Sequence, residues 1–151
     1  APPGSARDDL AGYTCGAVRW LEGDYLTLRP LFGTETGIHA YRTAIRWDDR
    51  TTRLTFQETE RADSFAQSGA VSLPHLSGHI YLVTSESGQY RVAILSRPTI
   101  AGSLYGILTT LLVGHGSQLV PASCPLVLMK LSDGAQSSFG RIEPGHPAYA
   151  R

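Results

Sequence analysis

At 151 residues the chain has the length of one domain. A domain of that size buries about 68–70% of its unfolded surface, so its core needs no metal or disulfide staple. Its 13 basic side chains balance its 13 acidic ones, which removes a global pull toward nucleic acid or anionic membrane.

The opening Ala1-Pro2-Pro3-Gly4-Ser5 has the composition of a linker. Residues 1–11 are expected to lead into a β-rich domain over 12–131, with a C-terminal tail over 132–151. A first strand is expected from Tyr13 to Leu21 and a second from Tyr25 to Phe32. In the second, Tyr25, Thr27 and Arg29 share one face, and Leu26, Leu28 and Phe32 the other. Pro30 cannot donate to a ladder, so this strand is expected at a sheet edge. His39 to Asp48 alternates most cleanly: Tyr41, Thr43, Ile45 and Trp47 oppose Ala40, Arg42, Ala44 and Arg46. That is the pattern of a half-solvated antiparallel strand. Asp48-Asp49-Arg50-Thr51 then turns the chain into Arg53 to Glu60, where Leu54 and Phe56 point inward. Strand signal returns at Ala70 to Leu73, before Pro74 breaks it.

The most legible hairpin pairs Gly78–Ser85 with Gly88–Arg97 around Ser85-Glu86-Ser87-Gly88. Ile80, Leu82 and Thr84 share a face on its first arm, and Arg91, Ala93 and Leu95 on its second. Ser103 to Val113 fits a helical stripe in part, but its brevity and Thr109-Thr110 favour a strand buried on both faces. Pro125 to Leu131 supplies a last strand. Eight to nine short strands with regular turns predict an all-β fold, an antiparallel barrel or sandwich with few or no helices.

Chemical motifs are sparse. His75 and His79 have the spacing of a zinc helix, but Pro74 and Gly78 argue against that helix and the accompanying glutamate is missing. Gly114-His115-Gly116-Ser117 reads as a glycine turn rather than a nucleophile elbow. No phosphate-cradling motif occurs, and no cofactor is implied. Glu58, Glu60 and Asp63 around Arg61 read as a solvated turn. Cys15 and Cys124, two distant thiols, fit a reduced cytoplasmic protein, with a bridge between them left open. The start lacks the charged lead and apolar core of a signal peptide. No apolar run approaches the ~20 residues that span a bilayer. The candidate ligand-binding residues are Tyr41, Arg42, Tyr81, Tyr90 and Arg91, with His79 close by. Inward aromatics beside an arginine suit a carboxylate or phosphate through two parallel hydrogen bonds. The competing reading makes the aromatics packed core and the arginines a wet face.

The strings GIHAYRTAIRWDD, RLTFQETERADSFAQSG, SGHIYLVTSESGQYRVAILSR and LYGILTTLL, followed by Pro121 and Pro125, carry a resemblance. Over about Leu10 to Leu131 the chain resembles the C-terminal domain of bacterial Xre-like helix-turn-helix transcriptional regulators. In that family a short DNA-binding head is joined by a linker to a β-rich domain taken to sense a ligand or mediate assembly. The resemblance implies a non-catalytic, cytoplasmic regulatory domain with an unknown small molecule as ligand and homo-oligomers as an option. It implies DNA contact only through a helix-turn-helix that this sequence lacks, and no contact with membrane. Two other classes stay open: a lipocalin-like small-molecule carrier, and a small β-barrel enzyme, for which no catalytic constellation speaks.

Overall fold

The computed structural model describes residues 16–30, 37–59, 67–73, 78–84, 91–113, 119–132 and 140–142. Within them the alternating segments form nine strands. They are β1 (Gly23–Pro30), β2 (Ile38–Asp48), β3 (Arg53–Thr59), β4 (Gln67–Ser72) and β5 (Ile80–Thr84), then β6 (Arg91–Leu95), β7 (Ser103–Val113), β8 (Leu119–Lys130) and β9 (Gly140–Ile142). Each of β1 to β8 pairs antiparallel with its neighbour in sequence, and β8 pairs back to β1. The result is a closed eight-stranded up-and-down barrel, so the alternative of a sandwich falls away. The ninth strand sits on Ile38–Ala40 of β2, beyond the point where β3 leaves it at Arg42 and Thr59.

Closure removes the expected edge. β1 has β2 on one side and β8 on the other, and Pro30 is accommodated because its pairing with β8 has already ended at Leu28. The first expected strand is also corrected: Gly16–Leu21 is a 3-10 helix. The reason lies in the spacing of its apolar residues. Val18 and Leu21 are three apart, which places both on one side of a 3-10 helix, and both are buried while Arg19 and Trp20 are exposed. Ser103–Val113 is a strand as expected, but only its inner face is buried; Tyr105 and Ile107 on the outer face are 56% and 55% exposed.

One face of each of β1 to β8 fills the barrel, as the pleat requires. Near the end where β1 begins, the filling is apolar: Leu54, Val71, Ile80, Leu95, Leu104 and Leu128 meet Val18 and Leu21 of the helix. The helix is tied down there by polar contacts as well. Tyr25 Oη donates to the Leu21 carbonyl at 2.8 Å, Trp47 N–H donates to Glu22 Oε1 at 2.8 Å, and Lys130 Nζ donates to the Trp20 carbonyl at 3.2 Å. This end is sealed.

Two inward glycines let so small a barrel bend. Gly69 faces Phe56 across β3 and β4, and Gly106 faces Leu95 across β6 and β7. A Cβ at Gly69 would collide with the backbone carbonyl of Val83, and one at Gly106 with that of Ile94. Only glycine allows that approach of neighbouring backbones.

Candidate functional site

The opposite end of the barrel is built differently. There the strands that began at the sealed end finish, and the inner face becomes polar: Thr27 and Arg29 on β1, Tyr41 and Thr43 on β2, Glu58 on β3, Thr84 on β5, Arg91 on β6 and Cys124 on β8. Arg91 Nη1 donates to Glu58 Oε2 at 2.9 Å, with side chains only 15% and 11% exposed. The hydroxyls of Thr27 and Thr43 hydrogen-bond at 2.7 Å. Arg29 lies over the Tyr41 ring, 5.8 Å from its centroid, and the His39 ring tilts against Tyr41 at 5.0 Å. Tyr41 Oη is buried and within hydrogen-bond geometry of no partner among the described residues, although Arg29 and Arg91 both act on it electrostatically.

Among the described residues, electrostatics at this end follow from burial and from the charges of Glu58, Arg91 and Arg29. Burial raises the Glu58 carboxyl above the ordinary carboxylate range, against the pull of Arg91 and Arg29. Burial works against the charge of Arg91, but Glu58 and then Tyr41 outweigh it, so the guanidinium is held more firmly protonated. Burial, reinforced by the negative charge of Glu58, raises the Tyr41 phenol. Burial also raises the Cys124 thiol, with Arg29 and Arg91 opposing. Cys124 is a free, buried thiol; Cys15 lies outside the described residues.

A cleft opens beside this cluster where the barrel wall parts. The β1–β8 ladder holds only four residue pairs, from Tyr25 with Lys130 to Leu28 with Val127. β1 runs on along β2 to Pro30, and β8 runs on along β7 from Pro125, but the two no longer pair with each other. In a continued register Pro30 and Pro125 would face one another, and neither has an N–H to donate. The cleft of about 370 Å³ lies there, walled by Leu28, Pro30, Ile38, Tyr105, Pro125 and Val127. Arg29 is its charged lining residue, and it also reaches the buried polar cluster.

The structure places the five candidate residues in three ways. Tyr41 and Arg91 come together inside the polar end, both acting within one electrostatic cluster. Arg42 points outward and pairs with Asp24, and Tyr81 sits on the outer face of β5, opposite the buried Ile80 and Leu82. Tyr90 lies outside the described residues. His79 is exposed, and His75 lies outside the described residues. Glu58 is no part of a solvated turn: it is buried against Arg91, whereas Glu60, Arg61 and Asp63 lie outside the described residues. Arg29 and Glu58 were missed as site residues, yet a signal was present. Arg29 shares its face with Tyr25 and Thr27, and Glu58 shares its face with Leu54 and Phe56.

Among the described residues no three His, Cys, Asp or Glu side chains gather as a metal site, and no helix is long and apolar enough to cross a membrane. The fold and the site together define a closed up-and-down β-barrel with one apolar sealed end and one polar end flanked by a seam cleft. Comparison with family models, with curated proteins and with solved structures returns no match.

Proposed function

We propose that the barrel is a non-catalytic, ligand-sensing domain of a bacterial transcriptional regulator, working in the cytoplasm, with DNA contacted by a helix-turn-helix segment outside this sequence. The observation that carries the ligand part is the seam cleft, about 370 Å³ with apolar walls and one arginine. Cavities that hold small molecules have this size and this mixture of apolar wall and few polar groups. The regulatory part rests on the family resemblance of the strand segments.

A second reading, a lipocalin-like carrier, draws support from the closed eight-stranded up-and-down barrel itself. Two measurements separate these readings. A thermal-shift screen of small metabolites comes first: a ligand at a hundredfold excess over its Kd stabilises by about 2.7 kcal/mol, hence roughly 5–10 °C for a chain of this size. A screen in which no compound raises the melting temperature removes both readings. The second measurement takes the hit to a chain that carries the helix-turn-helix segment. A changed affinity for operator DNA supports sensing, and an unchanged one favours the carrier.

A further inference from the structure

We infer that the outer face of β5 to β8 is a dimer interface, covered by the same face of a second copy of this chain about a two-fold axis. This goes beyond the sensing proposal and does not depend on it. The starting point is where large hydrophobic side chains stay exposed. Among the described residues these are Trp20 and six others, all between Ile94 and Val120, so the apolar surface is one-sided. The strand register joins it up. Tyr81, Ile94, Ile107 and Pro125 stand side by side on four successive strands, and Tyr105 is paired with Val127 beside that row. Ile94, Tyr105 and Ile107 are 41%, 56% and 55% exposed. The outer face of an antiparallel sheet is ordinarily polar because water covers it. This one is not.

Charge and size select the occupant. β5 to β8 contain two charged residues, and neither stands on the outer face: Arg91 meets Glu58, and Lys130, at the end of β8, donates to the Trp20 carbonyl. Arg97, exposed in the turn after β6, belongs to the rim. Outer-wall charge is found instead on β1 and β2, at Asp24, Arg42 and Arg46. A face without charge has nothing to steer a charged partner, whereas two copies of it meet without repulsion on a chain of zero net charge. With strands ~4.8 Å apart and a rise of ~3.4 Å per residue, β6 to β8 present roughly 400–500 Å². Two such faces bury about 1,000 Å², the lower bound for a specific interface, which sets a weak and reversible dimer. The mode of contact follows from two prolines. On the side away from β7, β8 pairs only from Val127 to Lys130, which leaves an open edge. Pro121 and Pro125 keep their places in the β7 ladder, so their nitrogens face that open edge and offer an added strand no N–H. The copies therefore meet face to face, sheet on sheet.

Sedimentation equilibrium of the intact chain between about 1 and 300 µM tests this, with a monomer–dimer midpoint expected in the micromolar range. Ile107→Lys puts a charge at the centre of the patch in both copies and should weaken dimerisation at least about a hundredfold. Ile107→Thr keeps the β-branched shape and should weaken it about tenfold, since each dimer loses apolar surface twice. The threonine variant carries the test if the lysine variant loses the circular dichroism of the parent chain. Gln57→Lys, at an exposed position on the outer face of β3, should leave dimerisation unchanged. A chain that stays monomeric at the highest concentration overturns the inference. So does association that the Ile107 variants leave intact, association that Gln57→Lys weakens equally, or growth beyond two copies. Phosphatidylcholine vesicles supply the remaining arm: vesicle binding by the parent chain that Ile107→Thr weakens, without dimers in solution, would assign the face to a bilayer and overturn the dimer.

Discussion

Glu58 and Arg91 meet across the interior of the barrel: their strands, β3 and β6, have β4 and β5 between them, yet the carboxylate and the guanidinium lie 2.9 Å apart. An ion pair so placed reads as a device of specificity rather than of stability, because desolvating two charges consumes most of their attraction. Its removal in halves and as a whole should therefore differ. Glu58→Gln leaves the Arg91 charge buried without its counter-ion and should destabilise by about 3–5 kcal/mol. The double variant Glu58→Leu with Arg91→Met should recover most of that loss, ending within ~1 kcal/mol of the parent or above it. Urea unfolding of the three chains checks this. Equal losses for the single and double variants would show that the pair itself supplies the stability.

Among the described residues, Gly106 and Gly69 mark two places where neighbouring backbones come too close for a side chain. The atoms in the way are the carbonyl groups of Ile94 and Val83, which cannot rotate aside as a flexible side chain can. Gly106→Ala and Gly69→Ala should each lower stability by roughly 1–3 kcal/mol or more, because strands have to move. Gly16→Ala provides the comparison, since nothing lies within 4 Å of a Cβ there. Its effect should stay within about 0.5 kcal/mol. Equal urea midpoints for the glycine variants of the barrel and the parent chain would contradict the reading of these sites as bends.

Most of the barrel wall was legible in the chain, because a strand with one wet face announces its two sides by period-2 alternation. Tyr41, Thr43 and Ile45 are inward and Arg42 and Arg46 outward, as that pattern requires. Barrel and sandwich stayed indistinguishable for a physical reason. The closure of β1 on β8 rests on four residue pairs about a hundred positions apart, and nothing local encodes it. The helix at Gly16–Leu21 was misread because Val18 and Leu21 sit among β-compatible residues, and only their spacing of three betrays the turn. Arg29 and Glu58 occupy inner-face positions, but a charge argues for the surface unless its partner is known. The partner of Glu58 is 33 residues away. The seam cleft was beyond reach for a similar reason: Pro30 and Pro125 are each visible as ladder breakers, but their position across from one another is a property of the closed barrel.

Tyr25 should make the fold sensitive to alkali. Its phenol is pushed up to about 12 by burial, with Arg46 pulling the other way. Tyrosine in an unfolded chain ionises near 10. The folded value is the higher one, so the native state keeps a proton that the unfolded state releases. Stability is then untouched by this group below pH 10 and falls as pH rises from 10 through about 12. Tyr41, also raised by burial, adds to the loss in the same direction. Tyr25→Phe should flatten part of that slope. At neutral pH it should destabilise by about 1 kcal/mol, because the hydroxyl no longer donates to the Leu21 carbonyl. Urea midpoints across the alkaline range, with phenolate absorbance recorded alongside, check both parts. Identical alkaline slopes for the two chains would rule out Tyr25 as their source.

The outer face of β2 bears on DNA. Arg42 and Arg46 project from it side by side, the pattern of a small cationic strip, but both guanidinium groups bond the carboxylate of Asp24 on β1, Arg46 at 2.9 Å. Exposed pairs of this kind add little stability, about 0–1 kcal/mol. Their consequence is electrostatic: the strip keeps one unit of charge instead of two, on a chain whose total is zero. No described helix carries basic residues that could enter a groove, since the single described helix is the six-residue Gly16–Leu21 with Arg19 as its basic residue. This chain alone should therefore fail to retard a short DNA duplex at nanomolar concentrations in physiological salt, remaining at or below the non-specific range of about 10⁻⁴–10⁻⁶ M. Asp24→Asn exposes the charge of both arginines and should raise the residual, salt-sensitive binding measurably without producing sequence preference. A gel-shift titration gives the answer directly. Nanomolar retention by the parent chain that weakens steeply with added salt would mean that the barrel surface itself reads the phosphate backbone.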